Sequence, residues 1–253
     1  MAVNLYFVGT AGSGKTTLTK EFKGWMESQG YQAVTVNLDP GADKLPYAVD
    51  IDVRDWVSLP EVMDEHELGP NGAQIVSADM VAMKAPEIRN IMDEFETHYF
   101  LIDTPGQMEL FTFREASREM VKTLGDRSMI TFLFDPVLAK QPSGLVSLMT
   151  LAATTQFRFD VPYFPVLSKA DILSREELNR VETWAKDFWK LDAALRESSG
   201  SETQASIELI KSIQNMGLHR GVTPISSVQQ YGLEDIYTAA QDAFHGGQDL
   251  ETD

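Results

Sequence analysis

The sequence has 253 residues, with 38 acidic and 21 basic side chains, a formal net charge of −17 and no cysteine. An acidic excess of this size repels a phosphate backbone, so direct binding to nucleic acid is not expected. The absence of cysteine excludes disulfides and thiolate metal sites. No apolar stretch approaches the roughly 18 residues of a membrane helix, and the first residues lack signal-peptide features, so we expect a cytoplasmic protein without membrane contact.

Strand and helix patterns alternate from the amino terminus. Residues 3–8 are mostly apolar and rich in β-branched and aromatic side chains, residues 15–29 carry apolar side chains at helical spacing, and residues 33–38 again have the composition of a strand. This alternation predicts a doubly wound α/β fold with a mainly parallel sheet. Further strands are predicted at residues 99–102, 129–134, 163–167 and about 224–226.

The length and the absence of a visible linker predict one domain over residues 1–245, followed by a flexible acidic tail at 246–253. Two helices are predicted to form an insertion near residues 174–216, before the last strand. A capping box at Ser174 opens the first helix, whose apolar face continues to Leu191. The small polar residues at 198–203 predict a flexible surface loop between the two helices.

A phosphate-binding loop is predicted at residues 9–16. Their sequence, Gly-Thr-Ala-Gly-Ser-Gly-Lys-Thr, fits G-x-x-x-x-G-K-[ST] and lies between a predicted strand and a predicted helix. The glycines allow backbone N–H groups to face an anion, Lys15 reaches the β- and γ-phosphates, and the Thr16 hydroxyl is expected on Mg²⁺. The predicted nucleotide contacts are Gly12, Ser13, Gly14, Lys15, Thr16 and Thr17.

Asp103 ends a predicted apolar strand and is followed by Thr-Pro-Gly-Gln. In phosphate-loop proteins a carboxylate at this position meets Mg²⁺ or its waters at the carboxyl edge of the sheet. The backbone N–H of Gly106 is expected near the γ-phosphate, and the amide of Gln107 near the attacking water. The segment is therefore typical of a GTPase switch.

Asp39 also ends a predicted strand, within Asn-Leu-Asp-Pro-Gly at residues 37–41. Its carboxylate is a candidate for holding a Mg²⁺-bound water or for ordering the attacking water. The alternative is an ordinary Asp-Pro-Gly turn. The predicted metal-site residues are Thr16, Asp39 and Asp103. The acidic residues that follow this segment are predicted to be solvated loop charges, namely Asp43, Asp50, Asp52 and Asp55.

A base-reading segment is predicted where residues 163–167 end. Ser-Lys-Ala-Asp at 168–171 resembles the N-K-x-D motif of GTPases, with Ser168 in place of the usual Asn. The Asp171 carboxylate accepts from N1–H and N2–H₂ of guanine, whereas adenine offers an acceptor at N1 and no amine at C2. Lys169 is expected to lay its aliphatic stem over the base. The alternative is that Ser168 and Asp171 cap the next helix.

A weaker pattern at residues 225–228, Ile-Ser-Ser-Val, resembles the last GTPase loop, S-A-K, whose backbone N–H meets guanine O6. It adds Ser227 to the predicted base contacts. A separate segment at residues 68–72, Leu-Gly-Pro-Asn-Gly, predicts a turn when taken alone.

The order of these motifs along the chain closely resembles that of the GPN-loop GTPases, small dimeric proteins of archaea and eukaryotes. The resemblance extends from Phe7 to about Ile236. It implies Mg²⁺-dependent hydrolysis of GTP by a homodimer in which Asn71 enters the partner subunit's active site near the γ-phosphate. It also implies that Asp39 and Gln107 help to position the attacking water.

Relatives that assist RNA polymerase assembly further imply a nucleotide-switched protein partner, with the polymerase or its assembly machinery as the candidate. Two other classes are compatible with a phosphate loop: a kinase that phosphorylates a small molecule, and a nucleotide-dependent scaffold that does not hydrolyse. The apolar residues of a helix predicted after Ser143 belong either to the core or to the dimer interface.

Overall fold

A computed structural model describes residues 2–198 and 203–246. Within these ranges the strands form one parallel sheet of seven strands, in the order β3-β2-β4-β1-β5-β6-β7. The strands are β1 (Val3–Gly9), β2 (Ala33–Asn37), β3 (Ile51–Asp52), β4 (Tyr99–Asp103), β5 (Ser128–Phe134), β6 (Tyr163–Leu167) and β7 (Thr223–Pro224). The sheet confirms the predicted doubly wound α/β class.

The strand register brings the predicted site segments to one edge. Asp103 at the end of β4 pairs with Phe7 of β1 on one side and with Asn37 of β2 on the other. Leu167, at the end of β6, pairs with Phe134 of β5. The loops that follow these strands therefore meet at the carboxyl edge of the sheet, where ligands bind in open α/β sheets.

Helices cover both faces of the sheet, and buried apolar side chains fill the two layers between them. The helices are α1 (Lys15–Ser28), α2 (Leu59–Glu65), α3 (Pro70–Met83), α4 (Ala85–Met92), α5 (Met108–Phe111), α6 (Glu115–Leu124), α7 (Pro136–Ala139), α8 (Pro142–Phe159), α9 (Arg175–Lys186), α10 (Phe188–Glu197), α11 (Thr203–Asn215) and α12 (Leu233–His245). In the described ranges, no helix is long and apolar enough to cross a membrane.

The helical insertion is present, but its first helix differs from the prediction. The helix that opens at Ser174, with the predicted capping box, ends at Lys186 instead of continuing to Leu191. Asp187 then caps a new helix, α10, by accepting from the N–H groups of Trp189 and Lys190. An Asp side chain that accepts from the first N–H groups of a helix favours a helix start at this residue. The helix is therefore interrupted at Asp187, although the apolar spacing continues across it.

Two predicted features lie outside the described residues: most of the loop at 198–203 and the tail beyond residue 246. The apolar face of α8 is assigned to the core, because Leu145, Leu148 and Met149 are buried there.

The predicted turn at residues 68–72 is wrong. Gly69 is the N-cap of α3, Pro70 is its first residue, and Gly72 lies inside the helix. Proline suits the first helical position because its φ is preset and its missing N–H has no helical partner there. Asn71 is therefore an exposed side chain in the first turn of a 14-residue helix.

Candidate functional site

The loop between β1 and α1 has the backbone geometry of an anion site. Gly12 and Gly14 adopt φ of 75° and 99°, a left-handed conformation that glycine takes without strain. Gly14 is the N-cap of α1 and provides no side-chain cap, so the first N–H groups of the helix are available to a ligand. The ammonium of Lys15 donates to the carbonyls of Gly9 at 2.9 Å and Thr10 at 3.0 Å.

A cavity of about 300 Å³ opens beside this loop at the carboxyl edge of the sheet. The remaining predicted loop residues differ in exposure: Ser13 is fully buried with an unpartnered hydroxyl, Thr16 is partly buried and Thr17 is exposed. The predicted site residues that line the cavity are Gly12, Gly14, Lys15, Thr16, Thr17, Asp39, Asp103, Gly106 and Lys169.

Asp103 and Lys15 are both buried beside the cavity, and burial is the largest influence on the pKa of each. Burial raises the pKa of the Asp103 carboxyl to about 6, against the opposing effects of the Thr16 hydroxyl, the Lys15 charge and the Tyr47 hydroxyl. Burial also lowers the pKa of Lys15, while the carboxylates of Asp103 and Asp39 partly offset that effect. Ionised Asp103 is thus costly until a cation compensates its charge.

The donor set around Asp103 fits a hard divalent cation. Its Oδ2 accepts from the Tyr47 hydroxyl at 3.3 Å, but its buried Oδ1 has no hydrogen-bond partner. An orphaned carboxylate oxygen close to the Thr16 hydroxyl suits Mg²⁺, which takes one or two protein oxygens together with waters and substrate phosphates. Among the described residues, no group of three or more His, Cys, Asp or Glu side chains is arranged to hold a metal ion.

Asp39 connects the two segments that flank the cavity. Its Oδ1 accepts from the N–H of Gly41 at 2.9 Å, as in an Asp-Pro-Gly turn, and its Oδ2 accepts from the N–H of Gly106 at 3.4 Å. Asp39 therefore forms the predicted turn and also lines the cavity, while its role toward a metal ion or a water stays a prediction.

Gln107 and Asn71 are not among the cavity-lining residues in the described part of the chain. Gln107 is exposed, one residue beyond Gly106, and donates to the Oε1 of Gln74 on α3 at 2.9 Å. Asn71 lies one turn earlier on the same helix. The helix that carries the Gly-Pro-Asn segment is therefore in direct contact with the switch glutamine.

A smaller cavity of about 180 Å³ adjoins the phosphate loop and contains the predicted base-reading residues. Asp171 accepts from the Ser226 hydroxyl at 2.5 Å, and Lys169 donates to the Gly12 carbonyl. The Ser168 hydroxyl donates to the Phe134 carbonyl at 3.1 Å. Ser174, and neither Ser168 nor Asp171, caps the next helix. Besides Asp171 and Lys169, the cavity is lined by Ser13, Gly14, Thr17, Ser168, Ile172, Ser227 and Val228.

The prediction that all the acidic residues after Asp39 are solvated is wrong for Asp52. Asp52 is paired with Arg54 and accepts from Asn37, with a side chain 11% exposed. Asp50 accepts from the N–H and hydroxyl of Thr35 and from Lys23. Asp43, Asp50 and Asp55 are exposed as predicted, although Asp50 also has the partners just named.

Sequence reasoning also missed Asn37, Tyr47, Gln74 and Ser226. Only Asn37 had a signal in the sequence, because it is a polar residue at the end of a valine-rich strand; the structure shows that it is fully buried. The other three reach the site from loops or from another helix, and their contacts depend on long-range packing that no local pattern encodes.

Comparison with known proteins extends the motif pattern to the whole chain. A family model described as "Conserved hypothetical ATP binding protein" matches residues 7–246. The GPN-loop GTPase PAB0955 of Pyrococcus abyssi is 35% identical over 240 residues, which is 94% of this chain and 96% of that protein. The proteins named GPN-loop GTPase 1 of Dictyostelium discoideum and Schizosaccharomyces pombe are 28% and 29% identical, and the matches cover 62% and 66% of their lengths.

The solved structures agree with the sequence relatives. The crystal structure of PAB0955, described as a GTPase in apo form, matches with a TM-score of 0.85 at 35% identity, over 96% of this chain and 97% of that one. A likeness of this extent covers the phosphate loop, the switch segment, the base-reading segment and the helical insertion alike. The chain belongs to the GPN-loop GTPase family.

Proposed function

We propose that this protein is a Mg²⁺-dependent GTPase that acts as a homodimer, with Asn71 of each chain serving the site of its partner. Family membership makes it a GTP hydrolase by class. The observation that carries the proposal is the adjacency of two cavities, one lined by Lys15 and Asp103 and the other by Asp171. Two cavities that share Gly14, Thr17 and Lys169 support the binding of a triphosphate in one and of a guanine base in the other.

In the phosphate cavity, the loop N–H groups and Lys15 bind the phosphates. Thr16 and Asp103, with Asp39 nearby, would hold Mg²⁺, which neutralises charge that develops on the phosphate oxygens. Asp39 and Gln107 order the attacking water, and the Gly106 N–H donates to the γ-phosphate.

In the base cavity, Asp171 selects guanine by accepting from N1–H and N2–H₂. The Ser226 hydroxyl bond orients that carboxylate, and Lys169 and Ser227 contribute the stem and backbone contacts expected from the sequence. Ser168 donates to the main chain of β5, so its role is to fix the segment rather than to read the base.

The division of roles is tested by steady-state kinetics with matched binding measurements. Gln107→Ala and Asp39→Ala should lower kcat by at least about tenfold and leave the affinity for GTP largely intact, because both act on the water. Lys15→Ala should also weaken GTP binding severely. Parental turnover by Gln107→Ala would reduce that residue to a structural role.

The trans role of Asn71 is tested by mixing subunits. Lys15→Ala and Asn71→Ala homodimers are both expected to be defective, but a mixed dimer contains one complete site if Asn71 acts in trans. With random pairing, half of the dimers are mixed and each has one complete site of two, so activity should recover to about a quarter of the parental value. A mixed dimer that stays inactive, once subunit exchange is verified by mass spectrometry, rejects the trans assignment.

We further propose that hydrolysis switches a surface for a protein partner, with RNA polymerase or its assembly machinery as the candidate. The support is the family resemblance and the contact between Asp39 and Gly106, both of which line the larger cavity. Co-purification with the polymerase should differ between a non-hydrolysable GTP analogue and GDP. Equal recovery in both states would contradict a nucleotide switch.

A further inference from the structure

A buried amide holds the backbone of Asp39 at both of its polar groups. The Oδ1 of Asn37 accepts from the Asp39 N–H at 3.0 Å, and the Nδ2 of Asn37 donates to the Asp39 carbonyl at 3.1 Å. The second hydrogen of Nδ2 is donated to Asp52 at 3.0 Å. Asn37 is fully buried, and both of its N–H groups are used within the protein.

An ion pair holds that amide in turn. The Arg54 guanidinium reaches both carboxylate oxygens of Asp52, with Nε at 3.0 Å from each and NH2 at 2.6 Å from Oδ2. Its NH1 donates to the carbonyls of Ala42 at 2.8 Å and Asp43 at 3.2 Å. The planar guanidinium therefore holds the Asp52 carboxylate and also the backbone at residues 42–43, just after the Asp39 turn.

We propose that Asn37, Asp52 and Arg54 are positioning residues that set the orientation of the Asp39 carboxylate toward the γ-phosphate and its water. The inference rests on the proposed function of Asp39 and extends it to residues outside the phosphate and base motifs. Arg54 and Asp52 do not line the nucleotide cavity among the described residues, so they act through the backbone of Asp39 and through Asn37. Partners of this second layer commonly change activity by about ten- to hundredfold when removed.

The chain contains a matched control pair, Thr35 and Asp50, each two residues before its counterpart. Thr35 precedes Asn37 on β2, is also fully buried, and exchanges hydrogen bonds with Asp50, which precedes Asp52. Asp50 is itself paired with a cation, Lys23, at 2.7 Å. This second pair resembles the first in chemistry and location, but it has no hydrogen bond to the Asp39 turn.

The experiment compares Asn37→Ala and Asp52→Asn with Thr35→Ala and Asp50→Asn in the full chain. The first two are expected to lower kcat for GTP by about ten- to hundredfold with KM changed less than about threefold, and the control pair to stay within about twofold in both. Arg54→Lys keeps the charge but loses the planar fork, so an intermediate loss is expected. Melting temperature and Mg²⁺-dependent affinity for a non-hydrolysable GTP analogue are measured for every variant.

Combining Asp52→Asn with Asp39→Ala separates positioning from a general loss of stability. If Asp52 acts through Asp39, the double variant turns over no more slowly than Asp39→Ala alone. Equal losses in the Asp52 and Asp50 variants, or additive losses in the double variant, overturn the proposal. Should Asn37→Ala fail to fold, the Asp52 and Arg54 variants decide. Parental activity of Asp39→Ala itself would instead refute the proposed role of Asp39.

Discussion

Removing the charge of Asp103 should stabilise the nucleotide-free protein while it abolishes activity. Burial raises the pKa of this carboxyl from 3.8 to about 6, so the folded chain holds a proton that the unfolded chain has released between those values. Stability therefore falls as pH rises through this window, by about 1.4 kcal/mol for each unit. Well above pH 6, where the carboxylate is ionised in both states, the cost is about 3 kcal/mol.

The side chain of asparagine is close in shape to that of protonated aspartate, so Asp103→Asn removes the cost of ionisation. We expect it to raise the free energy of unfolding by about 3 kcal/mol at pH 8 and by roughly half as much at pH 5, with a chelator present so that no divalent cation compensates the parental carboxylate. The attraction to Lys15 is already contained in the raised pKa. Urea unfolding at the two pH values measures both quantities.

Asp52→Asn serves as a control, because it should change the free energy of unfolding in the opposite direction. Burial acts to raise the pKa of Asp52, but the bonds from Arg54 and Asn37 outweigh it and the pKa is lowered. This carboxylate therefore contributes stability above its unfolded pKa, so its replacement should destabilise the protein at pH 8. The reasoning about Asp103 is refuted if Asp103→Asn is no more stable than the parent at pH 8, or if its advantage does not shrink toward pH 5.

Three further changes test single contacts. Gln74→Ala should lower kcat several-fold in steady-state kinetics without weakening GTP binding, since it frees the Gln107 amide; unchanged kcat would contradict this. Asp171→Asn should lower GTP affinity at least about tenfold in competition titration and favour xanthosine triphosphate, since charged hydrogen bonds are worth about 1.5–3 kcal/mol; undiminished GTP preference would refute it. Gly144→Ala places a Cβ 2.2 Å from a backbone oxygen and should destabilise by about 1–3 kcal/mol in urea unfolding, whereas Gly24→Ala, with nothing within 4 Å, should not.

The sheet was predictable because its central strands are mostly apolar segments, two of which end at a glycine or an aspartate. The run before Gly9 and the one before Asp103 show this pattern, and both occur as strands. The two-residue strand Ile51–Asp52 was not predictable, because a segment so short has no period. The break at Asp187 was missed because the apolar spacing continues across it.

The phosphate loop was predictable because its chemistry is local: eight consecutive residues contain the glycines, the lysine and the hydroxyl. The support of Asp39 was not, because Asp52 lies thirteen residues later and its role depends on the pairing of β2 with β3. Nothing in the sequence distinguishes Asp52 from the exposed Asp55. Parallel pairing, a long-range feature, decides which acidic side chain is buried.

Mg²⁺-dependent GTP hydrolysis is measured most directly as phosphate release from GTP and from ATP, side by side, with Mg²⁺ and with a chelator. Both nucleotides are needed because the matching family model is described as an ATP-binding protein, whereas the relatives are named GTPases. We expect phosphate release from GTP in buffer alone, without an acceptor molecule, dependence on Mg²⁺, and little turnover of ATP. Equal turnover of the two nucleotides would contradict the role of Asp171, and no release from GTP by a verified dimer would contradict hydrolysis itself.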